Sequence, residues 1–196
     1  KVVYVPINPP KELDQRNTRG EEWTIDFEQF EKAITSKTKA VIINTPHNPI
    51  GKVFTREELT TLGNICVKHN VVIISDEVYE HLYFTDSFTR IATLSPEIGQ
   101  LTLTVGSAGK SFAATGWRIG WVLSLNAELL SYAAKAHTRI CFASPSPLQE
   151  ACANSINDAL KIGYFEKMRQ EYINKFKIFT SIFDELGLPY TAPEGT

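Results

Sequence analysis

Hydrophobic positions along the chain follow two patterns that take turns. The first is a short, near-continuous apolar run rich in β-branched residues, as in strands buried on both faces. Such runs fall at residues 2–5, 39–43, in the first part of 71–79, at 101–105 and at 119–124, and the third leads straight into Asp76 and Glu77. The second pattern is recurrence at three and four residues, the period of an amphipathic helix. Asp26 opens one such helix, with Gln29 at capping-box spacing and Phe27, Phe30 and Ile34 on one stripe. Thr55 and Glu58 form a second capping box ahead of Leu59, Leu62, Ile65 and Cys66. A third helix is predicted from Asn126 through Leu129, Leu130 and Ala133 to about Arg139, broken by Pro145 and Pro147. Residues 148–162 read as a fourth. From Tyr164 a longer stripe of Phe165, Met168, Tyr172, Phe176, Phe179, Phe183 and Leu186 reads as a packing surface, stopped by Gly187 and Pro189.

Between these elements the chain is polar and punctuated. Residues 6–22, with Pro9, Pro10 and Gly20, read as an exposed loop. Thr45-Pro-His-Asn-Pro-Ile-Gly51 ends the second strand abruptly. Two prolines within four residues forbid helix and ladder alike, so Asn48 is presented from a stiff loop, with a cis bond expected before Pro49. A plain turn would use the same residues.

Strand alternating with helix predicts an α/β fold, three layers deep, with a mostly parallel sheet and right-handed crossovers. In such sheets ligands bind beyond the carboxyl ends of the strands. Asn48, Asp76 and Lys110 each lie just past an apolar run, so one crevice gathers all three. The chain opens directly in a strand-like run and stops just after a turn, so the sheet is expected to be incomplete at both ends.

Composition narrows the partners. A formal net charge of -2 without long charge runs gives no electrostatic case for nucleic acid or an anionic membrane. At 43% hydrophobic residues the chain can build a substantial core, yet no apolar run approaches a membrane span. Cys66, Cys141 and Cys152 are an odd, scattered set, read as reduced thiols of an intracellular protein. His47, His69, His81 and His137 form no close ligand pair, which argues against zinc.

Candidate chemistry centres on Lys110, in the Gly- and Ser-rich turn between the fourth and fifth runs. Ser107 and Arg118 flank it with a hydroxyl and a guanidinium suited to a phosphate. A nucleotide-hydrolase phosphate loop would need a Gly where Thr104 stands. Ser107-Ala-Gly-Lys110 fits the Ser-x-x-Lys of penicillin-binding enzymes, but their companion motifs are absent. A Schiff-base lysine beside a phosphate clamp is the third chemistry, the one pyridoxal phosphate requires. A Gly-rich turn carrying a solvated Lys stays open on these residues alone, as do a strand cap at Asp76 and ordinary packing at Tyr79.

Asn48-Pro-Ile-Gly51, Ser75-Asp-Glu-Val-Tyr79 and Ser107-Ala-Gly-Lys110 with Gly116-Trp-Arg118, in this order and spacing, resemble class I/II pyridoxal-phosphate aminotransferases of fold type I. The likeness covers nearly the whole chain. Residues 44–54 and 106–122 look most like the group of kynurenine aminotransferases, glutamine transaminases K and cysteine-conjugate β-lyases. The resemblance implies a partial cofactor-binding large domain over residues 1–163, then an interdomain helix and the start of a small domain over 164–196. It implies pyridoxal 5'-phosphate as cofactor and transamination between kynurenine, glutamine or a related amino acid and a 2-oxo acid such as 2-oxoglutarate.

The same resemblance implies roles residue by residue. Lys110 would bind the cofactor aldehyde as a Schiff base and later move a proton, in a dry, electropositive crevice that Arg118 helps to form. Asp76 would face the pyridine nitrogen. Tyr79 and Asn48 would hydrogen-bond the ring's phenolic oxygen, and Ser107 and Arg118 would hold the phosphate. Glu77 carries no role beyond capping or pairing. Family members are dimers, and they supply from other segments a Gly-rich phosphate site, a ring-stacking aromatic residue and an Arg for the substrate carboxylate. The expected partners are therefore amino-acid and 2-oxo-acid substrates and a second copy, in the cytoplasm or the mitochondrion. β-Elimination from cysteine conjugates would use the same Lys110, and a truncated, non-catalytic segment is the alternative from a different class.

Overall fold

The structure is a computed structural model that describes residues 1–196. Its centre is a four-stranded sheet of β4 (Ala40–Asn44), β5 (Val72–Asp76), β6 (Thr102–Ser107) and β7 (Gly120–Leu123), in that spatial order. The first three strands run parallel and β7 is antiparallel to β6, so the sheet is mostly parallel as the alternating pattern predicts. Ahead of it lie three two-residue strands, β1 (Ile7–Asn8), β2 (Thr18–Arg19) and β3 (Thr24–Ile25). Of these, β1 pairs antiparallel with β3.

Four of the helices start where capping side chains satisfy free amides. Asp26 accepts the Gln29 amide to open α1 (Phe27–Ala33). Thr55 and Glu58 complete a reciprocal capping box that opens α2 (Arg56–His69), and Asn70 closes it in a left-handed conformation. Helix α3 (Pro96–Leu101) begins at Ser95, whose side chain accepts the Ile98 amide. The capped turn carries the helix through Leu101, so β6 begins one residue later than the apolar run suggests.

α2 connects β4 to β5, and α3 lies between β5 and β6. Both pack on one sheet face, around Phe30, Ile43, Phe54, Leu59, Leu62, Cys66, Ile73, Ile91 and Ile98. In-register neighbours share a face and successive residues alternate. Ile43 and its partner Ser75 are therefore on the packed side and buried, whereas Ile42 is on the other side and 73% exposed. That second face is open in this chain.

The one-turn helix α4 (Ala108–Ser111) follows β6, and β7 is succeeded by α5 (Ala127–Ile140), α6 (Ser146–Ile162), α7 (Tyr164–Leu186) and β8 (Thr191–Ala192). Gly187 ends α7 with a φ of 64°, as the stop signal predicts. The chain then returns to pair β8 in parallel with β2. No helix is long and apolar enough to cross a membrane.

Four expectations are corrected. Residues 6–22, read as an exposed loop, contain β1 and β2, and Thr18 and Gly20 are buried because the returning β8 pairs alongside β2. Residues 2–5 form no strand, and Val2, Val3 and Tyr4 are exposed, because no strand of this chain lies alongside to complete a ladder. The run at 119–124 forms β7, but as an antiparallel edge strand with Val122 and Leu123 exposed on its two faces, since no further strand of this chain lies beyond it. The α7 stripe is only partly packed. Met168 is buried and Phe165 stacks on His81, while Tyr172, Phe179 and Leu186 are exposed, because the rest of the chain touches only part of a helix this long.

Candidate active site

Register brings the candidate residues to one edge. Asn44, Asp76 and Val105 stand side by side across β4, β5 and β6, so the chain leaves all three strands at the same end. The Asp76 carbonyl accepts the Thr45 amide at 3.0 Å and the Asn44 side-chain amide at 3.0 Å, which locks the two strand ends together. The Asn44 carboxamide oxygen in turn accepts the Asn48 amide at 2.8 Å. Asn44 thus shapes the loop that presents Asn48, a role the sequence reading missed. Its place as the last residue of an apolar run before a double-proline loop was the available signal. The Thr45–Pro46 and Asn48–Pro49 peptides are both cis.

Asn48 then reaches across. Its side-chain amide donates to the Tyr79 hydroxyl at 3.3 Å, and the Lys110 Nζ lies 5.3 Å from the Tyr79 ring centroid. An amide, a phenol and an amine from three separate segments, each following a strand, therefore meet. The Asp76 carboxylate caps the turn after β5, its Oδ1 accepting the Val78 amide at 3.3 Å.

Lys110 sits in α4, directly after β6. The turn rests on a small second core of Ala108, Ile119 and Cys152, flanked by Phe112, Trp117, Trp121 and Leu148. Apolar support from β7 and α6 fixes the backbone while the amine projects outward. Lys110 is exposed, so the dry crevice expected around it is not formed by these residues alone. Ser107 pairs with Gly120, and the Ala108 amide donates to the Ile119 carbonyl at 3.1 Å. The antiparallel return thereby puts Arg118 at the Ser107 end of β6. Arg118 has a φ of 58°, is exposed, and donates to the Thr115 carbonyl at 3.3 Å, with no hydrogen bond to Ser107.

Glu77 is the residue the motif left without a task. It points to the packed face, 1% exposed, where Oε1 accepts the Ser75 hydroxyl at 2.9 Å and the Ile91 amide at 3.3 Å. Burial pushes its carboxyl up to about 7, against the opposing pull of those two donors and of Arg90. Strand alternation alone separates it from Asp76: one acid faces the crevice edge, the next is buried behind it. A second buried charge, Lys52, pairs with Glu58 at 3.0 Å at the start of α2. His47, within the loop that presents Asn48, is held below its ordinary value by burial.

A mostly parallel α/β sheet with a lysine, a carboxylate and an amide–phenol pair at the carboxyl ends of its strands defines an enzyme-like lobe. Comparison with known proteins makes this specific: the sequence matches the family described as aminotransferase class I and II over residues 1–196, and the chain belongs to that family. It is 37% identical over 199 residues to kynurenine–oxoglutarate transaminase 3 of Mus musculus, covering 98% of this chain and 43% of that protein. The solved structure of N-succinyldiaminopimelate aminotransferase from Mycobacterium tuberculosis superposes with a TM-score of 0.87 at 31% identity, covering 99% of this chain and 47% of that one. A PLP-bound putative aminotransferase from Clostridium difficile 630 gives 0.85 at 27% identity, covering 100% and 49%. The chain therefore spans less than half the length of the relatives it matches.

Proposed function

We propose that this chain supplies the cofactor-holding lobe of a pyridoxal 5'-phosphate-dependent aminotransferase. The proposed donor is kynurenine, glutamine or a related amino acid, and the acceptor a 2-oxo acid such as 2-oxoglutarate. The observation that carries the reading is the meeting of Lys110 with Tyr79 and Asn48 at the ends of parallel strands. The relatives' names support the substrate class.

The donor set fits the cofactor. Lys110 offers a primary amine for an aldehyde carbon, and Asp76 offers a carboxylate for a ring nitrogen. Asn48 and Tyr79 would hold the ring oxygen, and Ser107 and Arg118 the phosphate. When bound, the cofactor supplies an electron sink for the substrate α-carbon. Lys110, once its amine is free, would move a proton between the substrate α-carbon and the cofactor. Asp76, as a carboxylate, would keep a ring nitrogen bound against it protonated. Other segments of the full-length protein and a second subunit would complete the site and exclude water. The three thiols are unpaired in the fold, which fits a reducing compartment, cytoplasmic or mitochondrial.

The test is to add pyridoxal 5'-phosphate to the full-length protein, reduce with borohydride and map the labelled peptide. Label on Lys110, and loss of both label and transaminase activity in Lys110→Ala by at least about a thousand-fold, is the expected result. A folded protein that takes its label elsewhere or takes none overturns the reading. Product analysis with a cysteine conjugate separates transamination from β-elimination.

A further inference from the structure

The last residues of the chain pass between the two loops that carry Asn48 and Tyr79. On one side the Glu194 amide donates to the Gly51 carbonyl at 2.8 Å, and Glu194 Oε2 accepts the Val53 amide at 3.2 Å. On the other, the Phe84 amide donates to the Glu194 carbonyl at 2.6 Å, the Thr196 amide to the Leu82 carbonyl at 2.8 Å, and Gly195 bridges to Tyr83. Two glycines permit this closeness. A Cβ on Gly51, whose φ is 77°, would lie 2.3 Å from the Pro193 side chain, and one on Gly195 would lie 2.5 Å from the Leu82 carbonyl oxygen.

Glu194 is the residue of this segment whose side chain hydrogen-bonds back to the Asn48-bearing stretch. It is 7% exposed, and burial raises its carboxyl while the nearby Lys52 and Arg19 and the Val53 amide pull the other way; Glu21 adds to the rise. Lys52 is itself committed to Glu58. A buried carboxylate fixed to a backbone amide, with a cation close by, is a costly arrangement to lose, because the amide would be left unsatisfied. Beside it a cleft of about 490 Å³ opens between Arg19, Asp86 and Phe176, so a loosened segment has room to move.

We propose that Glu194 is a positioning residue for the Asn48–Tyr79 pair: it clamps the 193–196 segment to the Asn48 loop while the segment's backbone holds the Tyr79 loop. It touches neither reacting atom. Because both loops hang on one segment, a change at Glu194 moves both together. The consequence for the bound ring rests on the proposed function; the coupling of the loops does not.

The experiment uses the full-length protein as wild type, Glu194→Ala, Glu194→Gln and Gly195→Ala, with Leu62→Ala as a core control outside both loops. The first readout is amide hydrogen exchange of the cofactor-free protein. Glu194→Ala and Gly195→Ala should each speed exchange at Val53 and at Phe84 about ten-fold, while Glu194→Gln, which retains an acceptor oxygen, and Leu62→Ala should not loosen the two loops together. The second readout is the absorption maximum and dissociation constant of added pyridoxal 5'-phosphate, both displaced in Glu194→Ala and restored in Glu194→Gln. Faster exchange in one loop only, or loosened loops with an unchanged band and affinity, overturns the proposal. If the wild type takes up no cofactor but both loops loosen together, the proposed function fails and the clamp stands. Should Glu194→Ala not fold, Glu194→Asp, too short to reach the Val53 amide, is judged by the same outcomes.

Discussion

Asp76 and Glu77 are adjacent acids with opposite fates, and the physical difference is one step of strand alternation. Asp76 ends β5 at the open crevice edge; Glu77 turns inward among Ser75, Ile91 and the core. The folded-state value of Glu77, about 7, lies above the ordinary 4.5, so the folded protein binds the extra proton in that window. Stability from this group is therefore present below pH 4.5 and is lost as pH rises through 7. At ~1.4 kcal/mol per unit, the swing is about 3 kcal/mol. Glu77→Gln, which cannot ionise, should flatten the dependence, gaining stability relative to wild type at pH 8 compared with pH 5 in denaturant titrations. An unchanged slope would mean that Glu77 stays charged when folded. The sequence held the clue, since a residue one step from a crevice-facing acid must face the packed side.

At the scale of elements, capping and stripe do not carry equal weight. The Thr55–Glu58 box satisfies amides at the start of α2, so Thr55→Ala should cost about 1 kcal/mol. Leu59, fully buried on the same helix, should cost ~2–5 kcal/mol as Leu59→Ala. Phe179 belongs to an equally regular stripe on α7, yet it is 60% exposed, and Phe179→Ala should stay within about 0.5 kcal/mol in this chain. Urea unfolding of the three variants checks the ranking; a Phe179→Ala loss as large as that of Leu59→Ala would show α7 packed more fully than the structure has it. Helical periodicity reports that a face can be buried. It does not report what lies opposite.

For the whole molecule the imbalance between the two sheet faces matters most. One face carries the core, while Ile42 on the other, Ile140, Ile178 and Phe179 on the later helices, and Phe142 just after α5 are exposed. Apolar surface on this scale marks contact with other protein. The 196-residue chain by itself should bind an apolar fluorescent dye and self-associate as concentration rises, and the paired change Ile178→Lys with Phe179→Lys should reduce both. Light scattering and dye fluorescence are the measurements, and a monomer that leaves the dye dark would contradict the open surface. The same openness explains why Lys110 is exposed, although Ala108 beneath it is fully buried.

The α/β alternation, the capped starts of α1 and α2, the stop at Gly187, and the placing of Asn48, Asp76 and Lys110 at the carboxyl ends of three strands were all legible in the sequence. These are local matters: periodicity, capping and backbone restriction act within a few residues. Tertiary structure alone decided that residues 2–5 form no strand, that β7 runs antiparallel at the sheet edge, and that Asn44 and Glu194 brace the loops of the site. Those outcomes depend on which distant segment lies alongside. The pairing of Val53 with Glu194, 141 residues apart, leaves no mark in local pattern, because a hydrogen-bond partner that far away is chosen by the fold and not by neighbouring residues.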